Sequence, residues 1–338
     1  MKDLVLGIES SCDDTAAALV ARGREVRSSI VHSQVAEHAV FGGVVPEVAG
    51  RSHLRAILPV VDDALAQAGA DLDDLRGIAV TNRPGLIGSL LVGLSTAKAL
   101  AFARGLPLVC VHHIEAHVYA ATMEREDVDF PCLALVASGG HTALYRVRSC
   151  LDLELVATTL DDAAGEAFDK VGQLLGLGYP GGPAIARAAL EGDRRAIAFP
   201  RYRSKDGAPG FSFSGLKTAV LYHLRGQDAL APTPPPEEIG DRPDVAASFQ
   251  EAVVDTLVEN TLRAARAEGL DTVLVAGGVA CNQRLREAFA EHGARDGLRA
   301  IFPSPAYCTD NAVMIAGLGW HLLEAGRTAD WNVDASPR

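Results

Sequence analysis

The feature that most constrains the fold of this chain is an internal repeat of strand signals. Three strand-like runs follow one another near the start, at 4–8, 15–20 and 26–31. The same set returns later, at 133–137, 143–147 and 153–157. A polar turn rich in small residues follows the first run of each set. A repeat of this length predicts a duplicated α/β unit.

Helix and strand signals after each set complete the repeated unit. In the first half, a helical pattern at 52–68 precedes a strand at 77–81 and a helix at 88–104. In the second half, a helical pattern at 245–268 precedes a strand at 272–276. Both halves therefore read strand, polar turn, two strands, helix and strand, and a length of 338 residues suits two domains.

Two lobes of this kind, each with a turn after its first strand, are typical of the actin, Hsp70 and sugar-kinase superfamily. We therefore predict an α/β fold of duplicated actin/Hsp70/sugar-kinase-like (RNase H-like) lobes with an interlobe nucleotide cleft. The N-terminal lobe would span residues 1–130 and the C-terminal lobe residues 131–330. A short tail, 331–338, would follow.

Composition narrows the functional classes. A net charge of −12 argues against unaided nucleic-acid binding, because such proteins usually present a basic face. The opening residues lack the long apolar stretch of a signal peptide, and no segment reaches the roughly 18 uncharged apolar residues of a membrane span. The six scattered cysteines contain no C-x-x-C pair, which is typical of reduced thiols. We expect a soluble, cytoplasmic protein with no membrane partner.

A histidine pair is the strongest local sign of chemistry. His113 and His117 follow a strand signal at 107–111 and are four residues apart. On a helix they would lie about 40° apart around the axis, on one face, where two imidazoles can bind one divalent metal. A helix that merely exposes two histidines is the other interpretation of this spacing.

A zinc protease is excluded by the residues between the histidines. Its H-E-x-x-H motif needs glutamate directly after the first histidine, and Ile114 stands there. Glu115 lies about 200° around the helix from His113 and would point away from the metal face.

Glycine-rich turns indicate a phosphate or nucleotide ligand. Ser138, Gly139 and Gly140 follow a strand, and adjacent glycines let backbone N–H groups approach a phosphate. Asp169 is suited to ribose hydroxyls, and the Gly181-Gly182 pair could admit a flat base. Each motif alone also fits an ordinary tight turn, but their order within a duplicated fold favours a ligand.

Two acidic positions have both a structural and a functional interpretation. Asp310 begins the last helical segment, where it could cap the helix or complete a metal site of two histidines and one carboxylate. Asp13, in the turn after the first strand, could bond its own backbone or orient a metal or nucleophile.

Seven ordered segments together resemble one family, the bacterial tRNA N6-adenosine threonylcarbamoyltransferases (TsaD-type, formerly called glycoproteases). The resemblance runs from about residue 4 to about residue 325. The segments are 7–15, 42–47, 113–117, 138–142, 168–170, 211–217 and 308–312.

The resemblance implies an activity in the synthesis of tRNA threonylcarbamoyladenosine. Such enzymes transfer the threonylcarbamoyl group from threonylcarbamoyl-AMP to N6 of adenosine 37, in tRNAs reading codons that begin with adenine, and release AMP. The expected partners are tRNA and accessory proteins of the transfer complex, an inactive paralogue TsaB and an ATPase TsaE.

The resemblance also assigns residues to roles. His113, His117 and Asp310 match the ligands of one divalent metal, Fe²⁺ in most assignments and Zn²⁺ as the alternative. Asp13 is our candidate for a general base. The positions that match adenylate-binding residues are Val136, Ala137, Ser138, Gly139, Gly140, Asp169, Gly182 and Asn282.

The sequence departs from the family pattern at three positions. Ala186 stands where many members have an acidic residue, Arg83 replaces a glycine, and Cys281 replaces an alanine. The alternative functions are an ATP-dependent kinase and a nucleotide-switched binding protein of the same superfamily. A kinase would hold Mg²⁺ by carboxylates and water without two histidines, and the chain ends too soon after Asp310 for a peptide-binding domain.

Overall fold

The computed structural model of the protein describes residues 2–204, 207–226, 232 and 234–338. It divides into two compact units. The first comprises residues 1–128, 149–152 and 303–338, and the second comprises 129–148 and 153–302. The predicted lobe boundary at 130 falls within two residues of the first division, whereas residues 303–330, expected in the second lobe, belong to the first unit.

The first unit begins with three strands, β1 (Leu4–Glu9), β2 (Asp14–Ala21) and β3 (Glu25–Ser33). Two helices follow, α1 (Val35–Ala39) and α2 (Pro46–Ala68). The alternation of a further strand and helix then gives β4 (Leu75–Arg83), α3 (Ile87–Arg104), β5 (Leu108–His112) and α4 (His113–Met123). Helix α2 begins six residues before the predicted helix, because Pro46 occupies its first turn, where proline needs no N–H partner.

Within the described residues, the strands of the first unit form a sheet in the order β3-β2-β1-β4-β5. Strands β1, β2 and β3 pair antiparallel, while β4 pairs parallel with both β1 and β5. The central strand β1 is nearly all buried, as its apolar run requires. The carboxyl ends of β1, β4 and β5 therefore lie at one edge of the sheet.

The second unit repeats this arrangement. Its strands are β6 (Cys132–Ala137), β7 (Thr142–Ser149), β8 (Asp152–Thr158), β9 (Thr272–Ala276) and β10 (Arg299–Ile301). Its helices are α5 (Ala164–Leu174), α6 (Gly181–Ala189), α7 (Ser214–Arg225), α8 (Arg242–Glu268) and α9 (Gln283–Asp296). The described strands lie in the order β10-β9-β6-β7-β8. Read from the β8 edge, this is the order of the first unit, with β6, β7, β8, β9 and β10 in the places of β1 to β5. The duplicated α/β fold predicted from the repeat is therefore confirmed.

The C-terminal segment returns to the first unit through α10 (Pro305–Cys308) and α11 (Ala312–Glu324). Helix α11 packs on β1 and α4, and most of its apolar residues are buried there. Gly7 of β1 permits this approach, because a Cβ atom there would overlap the carbonyl oxygen of Ala312. Close packing on the central strand is the physical reason that residues 303–338 join the first unit.

Helix α3 is the one described helix that is long and apolar enough to cross a membrane by composition, with a mean hydropathy of 1.2. In the structure it covers the sheet of the first unit, where Leu90, Leu94 and Ala97 are buried. About a third of the helix, 33%, is buried against the sheet, and a single helix of this composition is weak evidence for a membrane span.

Candidate functional site

The two predicted metal histidines lie on one face of α4. Strand β5 ends at His112 and the helix starts directly at His113, so the ring of His113 stands at the carboxyl edge of the sheet. His117 follows one turn later, and the two ring centroids are 4.6 Å apart. His113 is 7% exposed and His117 is fully buried, so they are not the exposed histidines of the alternative interpretation.

Asp310 faces both imidazole rings. It lies in the short link between α10 and α11, and its Oδ1 is 3.2 Å from Nε2 of His117 and 3.5 Å from Nε2 of His113. The N-cap of α11 is Asn311, whose side chain accepts a hydrogen bond from the backbone N–H of Met314. Asp310 is therefore not the capping residue, and its carboxylate is available to the histidines.

The three side chains fit a divalent transition metal. Their ligand atoms all lie within 4.8 Å of one another. Zinc bonds of about 2.1 Å in a tetrahedral arrangement place neighbouring ligand atoms roughly 3.4 Å apart, close to the separations of Asp310 from the two rings. Two imidazoles and one carboxylate also match the donor set that iron and zinc accept.

Glu9 is a member of this cluster that sequence reasoning did not assign. Its Oε2 lies 3.0 Å from Nδ1 of His113 and accepts a hydrogen bond from the hydroxyl of Thr81 at 2.6 Å. Its Oε1 accepts from the backbone N–H of Ser11 at 2.5 Å. The sequence does carry one signal for Glu9, a glutamate at the end of an otherwise apolar strand. A carboxylate buried at such a position needs hydrogen-bond donors around it, which indicates a polar cluster at that end of the strand.

The buried charges of this cluster depend on one another. Burial alone lowers the pKa of His113, but the carboxylates of Asp310 and Glu9 outweigh it and raise that pKa well above its usual value. Burial raises the pKa of Asp310, but His113 and His117 outweigh this effect and lower it. For His117, burial dominates and lowers the pKa, which favours the neutral imidazole that a metal ligand requires.

The turn after β1 carries the candidate base Asp13 and its neighbour Asp14. Burial is the main cause that raises the pKa of Asp13, and the nearby charge of Asp310 adds to the rise. Burial likewise raises the pKa of Asp14 to about 7, and its Oδ1 is buried without a hydrogen-bond partner among the described residues. His53 holds the turn, because its ring bonds the hydroxyl of Thr15 and the carbonyl oxygen of Cys12.

The second unit contains the predicted adenylate-binding positions. Val136 and Ala137 are buried at the end of β6, and a turn of the half-buried Ser138 and the exposed Gly139 and Gly140 follows. The hydroxyl of Ser138 accepts the backbone N–H of His141, which closes the turn. Gly165, at the start of α5, donates its N–H to the carbonyl oxygen of Ser138 and lies against Gly139.

The remaining predicted positions adjoin helix starts in the same unit. Asp169 of α5 accepts the backbone N–H of Gly181 at 2.7 Å, which fixes the beginning of α6, where Gly182 is open on its Cβ side. Asn282 is the N-cap of α9 and also donates to Gln250 at 2.8 Å. Strands β6 and β9 are parallel neighbours, and α5 adjoins both the turn at 138–140 and the start of α6. These positions therefore share one region of the second unit.

Known proteins resemble this chain along nearly its whole length. Residues 25–317 match the family model of tRNA N6-adenosine threonylcarbamoyltransferase, TsaD. Proteins of that name from Geobacter sulfurreducens and Syntrophotalea carbinolica are 55% and 53% identical, and each alignment covers 98% of this chain and 95% of the relative.

Among solved structures, T. kodakarensis HypF has a TM-score of 0.64 at 14% identity, and the match covers 96% of this chain and 48% of that chain. Component A of Acidaminococcus fermentans (R)-2-hydroxyglutaryl-CoA dehydratase has a TM-score of 0.56 at 14% identity and covers 94% of this chain and 98% of that chain. At this identity the two structures bear on the fold alone.

Proposed function

The chain belongs to the tRNA N6-adenosine threonylcarbamoyltransferase family, and we propose that it transfers threonylcarbamoyl from threonylcarbamoyl-AMP to N6 of adenosine 37 in tRNAs reading codons that begin with adenine. It is an acyltransferase of tRNA modification, and AMP is the leaving group. The buried His113, His117 and Asp310 cluster is the observation that carries this assignment. The kinase alternative is not favoured, because a kinase site typically holds Mg²⁺ by oxygen ligands alone.

The metal site would act on the acyl end of the substrate. His113 and His117 would supply nitrogen ligands and Asp310 one oxygen ligand, with Fe²⁺ as the proposed metal and Zn²⁺ as the alternative. A bound metal supplies Lewis-acid polarisation of the carbonyl group that the amine attacks. Burial of the two rings keeps water from competing for the ligand atoms.

The glycine turns of the second unit would bind the AMP part of the substrate. Gly139 and Gly140 of the turn are exposed, so their backbone N–H groups can approach a phosphate. Gly182 and Asn282 lie at the starts of α6 and α9, and the positive end of a helix dipole favours an anion there. Asp169 would contact ribose hydroxyls, and Val136 and Ala137 would position the turn.

Asp13 would accept the proton that the adenosine amine loses during transfer. Its half-buried carboxylate has a raised pKa, mainly because of burial, and a base is most effective when its pKa lies nearer the working pH. The bonds and the proton of the transfer are then all accounted for. The N6–carbonyl bond forms as the carbonyl–phosphate bond breaks, AMP leaves, and Asp13 would hold the proton from the amine.

Accessory proteins would bring tRNA to the enzyme in the cytoplasm. The net charge of −12 is unfavourable for unaided tRNA binding.

The outer faces of α2 and α3 carry an exposed apolar patch, which is typical of a protein interface. The patch consists of Leu54, Leu58, Ile87 and Leu91, between 43% and 68% exposed. We propose that a TsaB-like paralogue covers this patch and that a TsaE-like ATPase joins the complex.

The function is tested with purified protein, an adenine-codon tRNA transcript, synthetic threonylcarbamoyl-AMP and the accessory proteins. Mass spectrometry of digested tRNA should show threonylcarbamoyladenosine with wild-type protein. A His113→Ala, His117→Ala double variant should lack both bound metal and product. An unmodified adenosine 37 with a fully loaded, folded wild-type protein would contradict the proposed function.

A further inference from the structure

We infer that Glu9 is a positioning residue for the metal site: its carboxylate holds the His113 ring with the proton on Nδ1 and so directs Nε2 toward the metal. This inference rests on the metal site proposed above. It concerns a residue that makes no direct bond to the metal.

The first line of evidence is the hydrogen-bond geometry of Glu9. The side chain is fully buried, and each neighbour that contacts its oxygens is a donor. The backbone N–H of Ser11 donates to Oε1, and the hydroxyl of Thr81 donates to Oε2. Nδ1 of His113 lies 3.0 Å from Oε2. An ionised carboxylate can only accept, so Nδ1 must carry the proton of this contact.

The second line of evidence is the position of the other ring nitrogen. With Nδ1 protonated, neutral His113 has its lone pair on Nε2. That atom faces Oδ1 of Asp310 at 3.5 Å, within the ligand cluster. Metal-bound histidines commonly donate their second N–H to a carboxylate, which fixes the tautomer and makes the ligand more basic.

The third line of evidence is an asymmetry between the two histidines. Nδ1 of His117 is buried and has no hydrogen-bond partner among the described residues. The His117 ring is held by the contact of its Nε2 with Asp310 and by packing, including the edge-to-face contact with the ring of His113, and nothing among the described residues bonds its Nδ1. Within the described cluster, Glu9 is therefore the one carboxylate that bonds a ligand ring at the nitrogen that does not face the metal site.

Charge adds to orientation. Glu9 and Asp310 together bring two negative charges to the cluster, and both lie close to His113. A divalent cation with two neutral imidazoles balances these charges, so removal of the Glu9 charge leaves an uncompensated cation in a buried site. Loss of the Glu9 carboxylate should therefore weaken metal binding for two reasons, because the His113 ring loses its orientation and the metal loses a compensating charge.

Glu9→Gln is the sharpest substitution, because it keeps the size and removes the charge. The new amide must point its NH₂ group either at the N–H of Ser11 or at the Thr81 hydroxyl and Nδ1 of His113, so a donor faces a donor in either orientation. Glu115→Gln is the matched control: the same change, on the same helix as the histidines, at a half-buried glutamate two residues from His113 and two from His117.

Metal affinity is measured by competition between the full-length protein and a chromophoric chelator, with Zn²⁺ alone as the probe. Removal of a carboxylate behind a metal ligand typically weakens binding about 10–100-fold. We expect such a loss for Glu9→Gln and less than about a twofold change for Glu115→Gln. Thermal unfolding of each variant checks that the first unit is folded.

A second measurement needs no variant. Nitrogen-15 NMR of histidine-labelled, zinc-loaded wild-type protein should show the His113 proton on Nδ1 and the metal on Nε2. The opposite tautomer, or an unchanged zinc affinity in a folded Glu9→Gln variant, would overturn the role of Glu9. Absence of zinc binding by the wild-type protein would instead refute the metal site itself.

Discussion

Replacing Asp14 with asparagine should stabilise the first unit at pH 8 and leave its stability nearly unchanged at pH 4. Asp14 opens β2, and its Oδ1 is buried without a hydrogen-bond partner among the described residues. Burial, with a smaller effect of the neighbouring carboxylates of Asp310 and Asp13, raises its pKa from the ordinary 3.8 to about 7. The folded state therefore resists ionisation of this side chain.

The sign of the pH dependence follows from the two protonation states. Below about pH 4, Asp14 is protonated in both the folded and the unfolded chain, so it costs nothing. Between about pH 4 and pH 7 the unfolded chain loses the proton while the folded chain keeps it, and stability falls as the pH rises. Above pH 7 the full cost remains, at most roughly 4 kcal/mol, since each pKa unit corresponds to about 1.4 kcal/mol.

Tryptophan fluorescence during urea unfolding is the suitable assay. The two tryptophans, Trp320 and Trp331, both belong to the first unit, so their signal reports the unit that contains Asp14. Metal-free wild-type and Asp14→Asn proteins are compared from pH 4 to pH 8. Asp62→Asn, at an exposed position of α2, is the control and should show no pH-dependent difference. A difference for Asp14→Asn that stays constant within about 0.5 kcal/mol across this range would refute the reasoning.

Three further perturbations test other parts of the structure. Gly165→Ala should weaken AMP binding in calorimetry, because a Cβ atom there would lie 2.7 Å from the carbonyl oxygen of Ser138 and displace the glycine turn; Gly215→Ala, with open space around it, is the control. Asn311→Ala should cost about 1 kcal/mol of stability through loss of the α11 cap, and it should reduce metal affinity because Asp310 precedes that cap. Leu54→Glu with Leu58→Glu should abolish co-purification with a TsaB-like paralogue and leave the thermal midpoint within a few degrees, because both side chains are exposed; retained binding would remove the patch as an interface.

Local patterns explain why much of the fold was predictable. The two sets of strand signals depend on apolar runs and turns a few residues long, and every predicted strand is present within a few residues of its expected position. The facing of His113 and His117 also follows from local helix geometry, and α4 confirms it. Signals of this kind need no knowledge of distant contacts.

Distant contacts set the rest of the site. Asp310 is 193 residues from His117, and Glu9 is 104 residues from His113. No spacing rule joins such positions. Family resemblance was therefore needed to decide between the two roles of Asp310, and the sequence analysis assigned no role to Glu9. Both contacts exist because β1, β5 and α11 meet at one place in the first unit, which is a property of the topology.

The return of the C-terminal segment has a consequence for how the site forms. The histidines come from α4 and Glu9 from β1, whereas Asp310 arrives only when α11 packs on β1. A bound metal would therefore connect the C-terminal segment to the sheet of the first unit, and its binding free energy would add to the stability of that unit. Because Gly7 lets α11 approach β1 closely, a larger residue at position 7 would displace Asp310 while leaving the two histidines in place. The metal site is in this sense a product of the non-local packing that the sequence repeat alone does not reveal.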